Sequence, residues 1–164
     1  MAYDGPYFHA RPFFEAEIER IEAENFVFQK EVQLNENVEG KTLDSLDIAR
    51  ELSIFIKNDI NRPAYDGRYE MDSIFDPQKQ LRAIKYTALD DKLPVKNLSL
   101  QFEKWGISRI ELKTSSSSRL LEANSTAIYE PQTGYQIENY QKITFLGEQN
   151  MKISVDYIDR DGRR

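Results

Sequence analysis

Leu98-Ser99-Leu100-Gln101-Phe102 opens a stretch, running to Ile158, in which apolar and polar side chains alternate through five successive segments. After Glu103-Lys104-Trp105-Gly106, a second run from Ile107 sets Ile110 and Leu112 on one face and Arg109, Glu111 and Lys113 on the other. Ser115–Ser118 reads as a loop. Leu121, Ala123, Ala127 and Tyr129 then share a side, and Pro131-Gln132-Thr133-Gly134 reads as a turn. Tyr135–Leu146 places Tyr135, Ile137, Ile143 and Phe145 together. Gly147–Asn150 reads as another turn, and Met151, Ile153, Val155 and Tyr157 alternate with Lys152, Ser154 and Asp156. Successive side chains on a strand point to opposite faces, so this rhythm predicts strands with one dry and one wet face. Connections of about four residues are too short for a parallel crossover, which makes the pairing antiparallel.

Upstream, Pro12 suits the first turn of a helix. Phe14, Ile18 and Ile21 recur at helical spacing, with Glu15, Glu17, Glu19, Glu22 and Glu24 filling the solvated face. Phe26–Leu34 alternates as a strand, and Asn35–Lys41, with Gly40, reads as a turn-rich loop. Asp44 or Ser45 is placed to cap a second helix, whose stripe is Ile48, Ala49, Leu52, Phe55, Ile56 and Ile60. Asn61-Arg62-Pro63 ends it, because the residue before proline avoids helical geometry. Arg68–Phe75 and Leu81–Leu89 are two further strands. The fold class predicted is α+β: a curved, mainly antiparallel meander of about eight strands packed with two N-terminal helices. A core of Leu52, Phe55, Ile56, Leu100, Phe102, Ile110, Leu112, Ile143, Ile153 and Val155 follows from the same pattern. No linker divides the chain, so residues 1–164 read as a single domain, with 1–11 an irregular arm and 159–164 a frayed tail.

At 164 residues, 40% hydrophobic and 30% charged, the composition is that of an ordinary globular chain. The net charge of −6 and the scatter of Arg and Lys argue against a nucleic-acid partner. The absence of cysteine removes disulfides, thiol chemistry and Cys-ligated metals. No apolar run reaches the length of a membrane-spanning helix. Met1-Ala2-Tyr3-Asp4-Gly5 lacks the basic and apolar regions of a signal peptide.

Chemistry-bearing motifs are sparse. His9 is the one histidine, so neither a zinc site nor a Ser-His-Asp arrangement is indicated. Asp159-Arg160-Asp161-Gly162 begins like a calcium loop but lacks the distal ligands. Asp90-Asp91 reads as a polar turn. No phosphate-binding glycine motif and no nucleophile elbow is present. No cofactor and no metal are therefore expected, and no catalytic residue is assigned.

Three residues are candidates for ligand binding. Trp105 falls at a hairpin tip, as an exposed anchor or packed against a neighbouring loop. Asn139 and Gln141 interrupt the apolar parity of their strand and fall on its inward face. They line a ligand-holding pocket in a concave sheet, or a β-bulge resets the parity, or the strand runs on beyond the helices.

Tyr7-Phe8 before Phe13-Phe14-Glu15, Asn58-Asp59-Ile60-Asn61-Arg62-Pro63-Ala64-Tyr65 and Ile84-Lys85-Tyr86-Thr87-Ala88 resemble the mature part of an uncharacterised lipoprotein family of Bacteroidota. Ser117-Ser118-Arg119-Leu120-Leu121, Tyr135-Gln136-Ile137 and Gln141-Lys142 are similar to the same family. The resemblance implies a signal peptide and a lipidated cysteine upstream of Tyr3, an envelope location, and no established activity. Asp44-Ser45-Leu46 and Asp72-Ser73-Ile74 are similar to the pattern such bacteria glycosylate on exported proteins. The expected function is a non-enzymatic envelope protein that binds a protein or lipid partner. The alternative is a carrier holding an apolar or lipid ligand in a concave sheet pocket.

Overall fold

A computed structural model describes residues 4–161. The chain forms α1 (Ala10–Ala23), β1 (Phe26–Leu34), β2 (Asn37–Leu43), α2 (Ile48–Glu51), α3 (Ser53–Lys57), a short 3-10 turn (Pro63–Tyr65), β3 (Tyr69–Phe75) and β4 (Leu81–Ala88). It continues with β5 (Val95–Glu103), β6 (Gly106–Ser117), β7 (Leu121–Glu130), β8 (Gly134–Ile143) and β9 (Gly147–Asp159). All nine strands join one open sheet in the order β2-β1-β9-β8-β7-β6-β5-β4-β3. Every pairing is antiparallel. Strands β3 to β9 run as a meander, and the β1–β2 hairpin returns to lie beside β9. The fold is α+β and mainly sheet, as the alternation predicts.

The described residues form nine strands where about eight are expected. The extra strand is β2, which the sequence pattern assigns to a loop. It is exposed along its length except at Leu43, so it has no dry face to impose a rhythm. Its identity comes from its ladder with β1, set by a tight turn in which Asn35 takes φ +53. Likewise β6 runs through Ser117, and Ser115–Ser117 pair with Glu122–Asn124 of β7 instead of forming a loop.

The second helix is broken in two. Leu52, at φ −84 and ψ 1, ends α2 and precedes α3. Asp47, and neither Asp44 nor Ser45, caps α2, its Oδ1 accepting from the Arg50 N–H at 3.0 Å. The apolar stripe is nonetheless in place: Ile48, Leu52, Phe55 and Ile60 are buried and Ile56 packs beside them, while Ala49 is exposed.

The helices roof one face of the sheet. Phe14 of α1 stacks on Phe55 of α3 at 4.5 Å between ring centroids, and both rings meet Tyr129 of β7, at 5.2 and 6.1 Å. Tyr129, Phe14 and Leu52 are fully buried. The N-terminal arm belongs to this core. Tyr7 packs edge-on against Tyr69 and Tyr86, and its N–H donates to Asn61 Oδ1. At the other end Asp159 still pairs with Phe26, and Arg160 bridges to Asp44 at 3.2 Å, so residues 159–161 are tied to the sheet. The remainder of the expected frayed tail, 162–164, and the start of the arm, 1–3, lie outside the described residues.

Of the expected core, Leu52, Phe55, Leu100, Ile110, Leu112 and Val155 are buried, and Ile56, Phe102 and Ile153 pack against them. Ile143 is exposed, and Phe145, expected inward beside it, is 99% exposed. The turn begins earlier than the pattern suggests. Phe145 sits in the β8–β9 connection with φ +70, and Gly147 already belongs to β9.

Candidate functional site

The interrupted parity of β8 has a simple physical cause. The β7–β8 ladder runs without a slip from Leu121↔Ile143 to Glu130↔Gly134, so no bulge resets the faces. Asn139 and Gln141 lie on the same face as Tyr135 and Ile137, at positions the helices do not reach. Burial falls away along each of β6 to β9 in that direction. Of the sequence alternatives the bulge is absent, and the strand runs on beyond the helices.

Cross-strand register assembles a patch on this bare part of the face. Thr114 pairs with Ser125, and Ser125 with Asn139; Ser116 pairs with Ala123, and Ala123 with Gln141. Across β9, Asn139 pairs with Met151 and Gln141 with Gln149. The patch thus carries amides and hydroxyls, with Ala123 and Met151 among them, and no charge. Where it meets the roof there is a hollow of about 220 Å³, walled by Asn58 at the end of α3, Pro94, Thr114, Ser125, Asn139 and Gln141. Ser125 Oγ is buried and has no hydrogen-bond partner among the described residues. Buried hydroxyls ordinarily have one.

Trp105 stands elsewhere. The register places Gly106 beside Glu103 at the opposite end of the sheet from Ser116. Eight residue steps along β6 lead from Gly106 to Thr114, about 26 Å at roughly 3.3 Å per step. The structure therefore brings Asn139 and Gln141 together and leaves Trp105 out. Trp105 is 53% exposed and lines a separate groove of about 430 Å³ with Phe13, Ile107 and Pro131. Glu17 and Arg20 complete that groove, and both are already committed. Arg20 donates to both Glu17 oxygens, to Glu24 and to the Pro131 carbonyl.

Glu17 was expected on the wet face of α1. It points at the sheet instead, where the Tyr129 hydroxyl donates to its Oε2 at 2.5 Å. Glu51 of α2 is held in the same way, accepting from Lys30 Nζ at 2.7 Å and from the Tyr135 hydroxyl at 2.6 Å. Two tyrosine–glutamate–cation links thus join roof to sheet. Burial pushes the hydroxyls of Tyr129, Tyr135 and Tyr157 up, so all three stay protonated, and Tyr129 and Tyr135 act as donors. Tyr157 Oη, buried nearby, has no partner among the described residues. The sequence signal for both glutamates was helical spacing: Glu17 lies four residues from Phe13 and from Ile21, and Glu51 lies three after Ile48 and four before Phe55.

His9 is partly exposed and faces Asp4 at 3.4 Å. Asp90 pairs with Arg68 and accepts from the Lys92 N–H, which accounts for it as a turn residue. Among the described residues no group of three or more His, Cys, Asp or Glu is placed to hold a metal ion. No helix among them is long and apolar enough to cross a membrane. No family model matches the chain, and no curated protein matches it.

Proposed function

We propose that this protein is a non-catalytic binding module of the cell envelope, and that it holds a protein partner on the bare end of its sheet face around Asn139 and Gln141. The observation that carries the binding surface is the row Thr114, Ser125 and Asn139 with Ser116 and Gln141 beside it. These are uncharged donors and acceptors, set on a rigid antiparallel ladder and left free by the helices. Such a row suits a partner that offers uncharged polar groups, such as peptide main chain. The hollow beside it, at about 220 Å³, is smaller than the usual small-molecule pocket of roughly 300–1,000 Å³. That favours a docking surface over the carrier of an apolar or lipid ligand.

A thermal-shift panel of uncharged peptides and of lipids, run on the wild type and on the Asn139→Ala/Gln141→Ala double variant, tests the surface. A ligand of the native state raises its stability. Stabilisation by a peptide that the double variant loses is the expected result. Stabilisation by lipids alone, lost in the same variant, would replace the docking surface with the carrier. The envelope address rests on the resemblance to the lipoprotein family. It is tested by fractionating cells that express the native gene and by looking for a lipidated cysteine encoded upstream of Tyr3. Ser45 lies in an exposed loop and Ser73 on the exposed edge strand β3, so both are open to the glycosylation the resemblance implies. Mass spectrometry of protein from the native source reads this directly.

A further inference from the structure

The β6–β7 and β8–β9 connections lie side by side at the far end of the sheet. Thr144 fastens them: its N–H donates to the Leu120 carbonyl at 3.0 Å and its Oγ1 to the Arg119 carbonyl at 3.2 Å. The joined tips present Leu120, Phe145 and Leu146, which are 65%, 99% and 81% exposed. Immediately behind them Leu121 pairs with Ile143. This is the largest concentration of exposed apolar side chains among the described residues, and it stands on a projection.

A second observation is independent of exposure. Phe145 has φ +70, in the left-handed region that bulky side chains avoid and that glycine or asparagine fills at low cost. The turn closes through the Leu146 N–H to the Ile143 carbonyl. Neither burial nor backbone preference accounts for a phenylalanine there. Strain of this kind, held at an exposed position, points to a role outside the fold.

We infer that the joined tips form a wedge that enters the interfacial layer of a lipid bilayer. Shape decides the occupant. A convex projection leaves no groove for a ligand, and a tip-to-tip contact of three side chains falls well short of the roughly 800 Å² per partner of a stable interface. A bilayer interface takes a convex apolar insert without a matching surface. Arg119 is exposed beside Leu120 and makes no ion pair among the described residues, so its stem can lie along the apolar layer while its guanidinium meets lipid phosphate. The wedge is separate from the bare polar face, which it would hold close to the membrane.

Sedimentation of the full chain with phosphatidylcholine vesicles tests the wedge. The wild type is expected to sediment with them, and salt is expected to weaken the binding only slightly, because the contact is apolar except at Arg119. Phe145→Asn, and separately Leu146→Asn, should each weaken it about tenfold, the effect of losing one large buried apolar side chain. Phe145→Asn suits the turn, so its unfolding temperature should hold or rise, which separates lost binding from lost folding. Trp105 emission should not shift, since the 12 residues of β6 place it roughly 40 Å from the tips. The wedge is wrong if the wild type ignores the vesicles, if the variants bind as well as it does, or if Trp105 emission moves to the blue. Capture of a protein by the tips without vesicle binding would equally replace the bilayer with a protein partner.

Discussion

Tyr129 and Tyr135 stand opposite each other across the β7–β8 ladder, and each hydroxyl donates to a glutamate from a different helix, Glu17 of α1 and Glu51 of α2. One cross-strand pair thereby anchors two separate pieces of the roof. Tyr157, a neighbour whose ring lies 6.3 Å from that of Tyr135, has a buried hydroxyl with no hydrogen-bond partner among the described residues.

The three tyrosines should therefore respond differently to removal of the hydroxyl. Tyr129→Phe and Tyr135→Phe each leave a mostly buried carboxylate short of a donor, at a cost of about 1–3 kcal/mol. In a chain of 164 residues that lowers the unfolding temperature by roughly 2–10 °C. Tyr157→Phe removes a buried hydroxyl that has no hydrogen-bond partner among the described residues, and should be neutral or stabilising. Thermal unfolding of the three variants side by side checks the contrast, and equal losses in all three would refute it.

Gly134 should tolerate no side chain. It has φ +144, and a Cβ there would lie 1.9 Å from the Val155 carbonyl oxygen, in backbone that has nowhere to move. Gly134→Ala combines left-handed strain with overpacking and should cost about 3 kcal/mol or more. Gly40, with ordinary φ and open space, is the control. Gly40→Ala should change stability by no more than about 0.5 kcal/mol. Denaturant titration reads both.

Stability should fall at both ends of the pH scale. Burial raises the folded-state values of Tyr129, Tyr135 and Tyr157 above the unfolded value of about 10. Their contribution is whole below that pH and is lost as pH climbs from there toward the folded values. At the acid end, the Lys113 ammonium holds Glu111 low, and backbone N–H groups of Gln80 and Lys92 hold Asp76 and Asp90 low. These carboxylates stabilise above about pH 4 and cease to do so as pH falls through their folded values. Melting temperature should stay level through neutrality and drop on either side. Tyrosinate absorbance should show the buried hydroxyls ionising only as the chain unfolds.

Ser125→Ala should stabilise the isolated protein, because its Oγ is buried without a partner among the described residues. The expected gain is about 1 kcal/mol or more. If the hollow is where a partner docks, the same substitution should weaken docking while raising the melting temperature. A loss on both measurements would mean that the hydroxyl has a partner within the fold.

Much of this fold is legible in the chain because burial writes a rhythm into it. Leu98, Leu100, Ile110, Leu112 and Val155 alternate because helices cover their face, and Ile48, Leu52 and Phe55 recur because they do the covering. Where neither condition holds, the rhythm goes silent. Strand β2 is wet on both faces, and the serines of β6 lie past the roof, so both read as loops. Parity alone says which face a residue takes and nothing about how far the opposite layer extends. Ile143 and Phe145 were expected inside for that reason, and Asn139 and Gln141 looked anomalous when only the roof had ended. Glu17 and Glu51 were hidden by their charge, although their spacing placed them on the apolar side of their helices.

The pairing of β1 with β9, residue for residue from Phe26↔Asp159 to Leu34↔Met151, joins the first strand of the sheet to the last. On a ribosome the β1–β2 hairpin would be made before β9 and then wait, one edge open, until β9 emerged. Its closing contact spans nearly the whole chain, and loop closure over that distance is slow. Refolding should therefore finish with this seam, and a chain shortened before Met151 should lose the hairpin's place in the sheet along with β9.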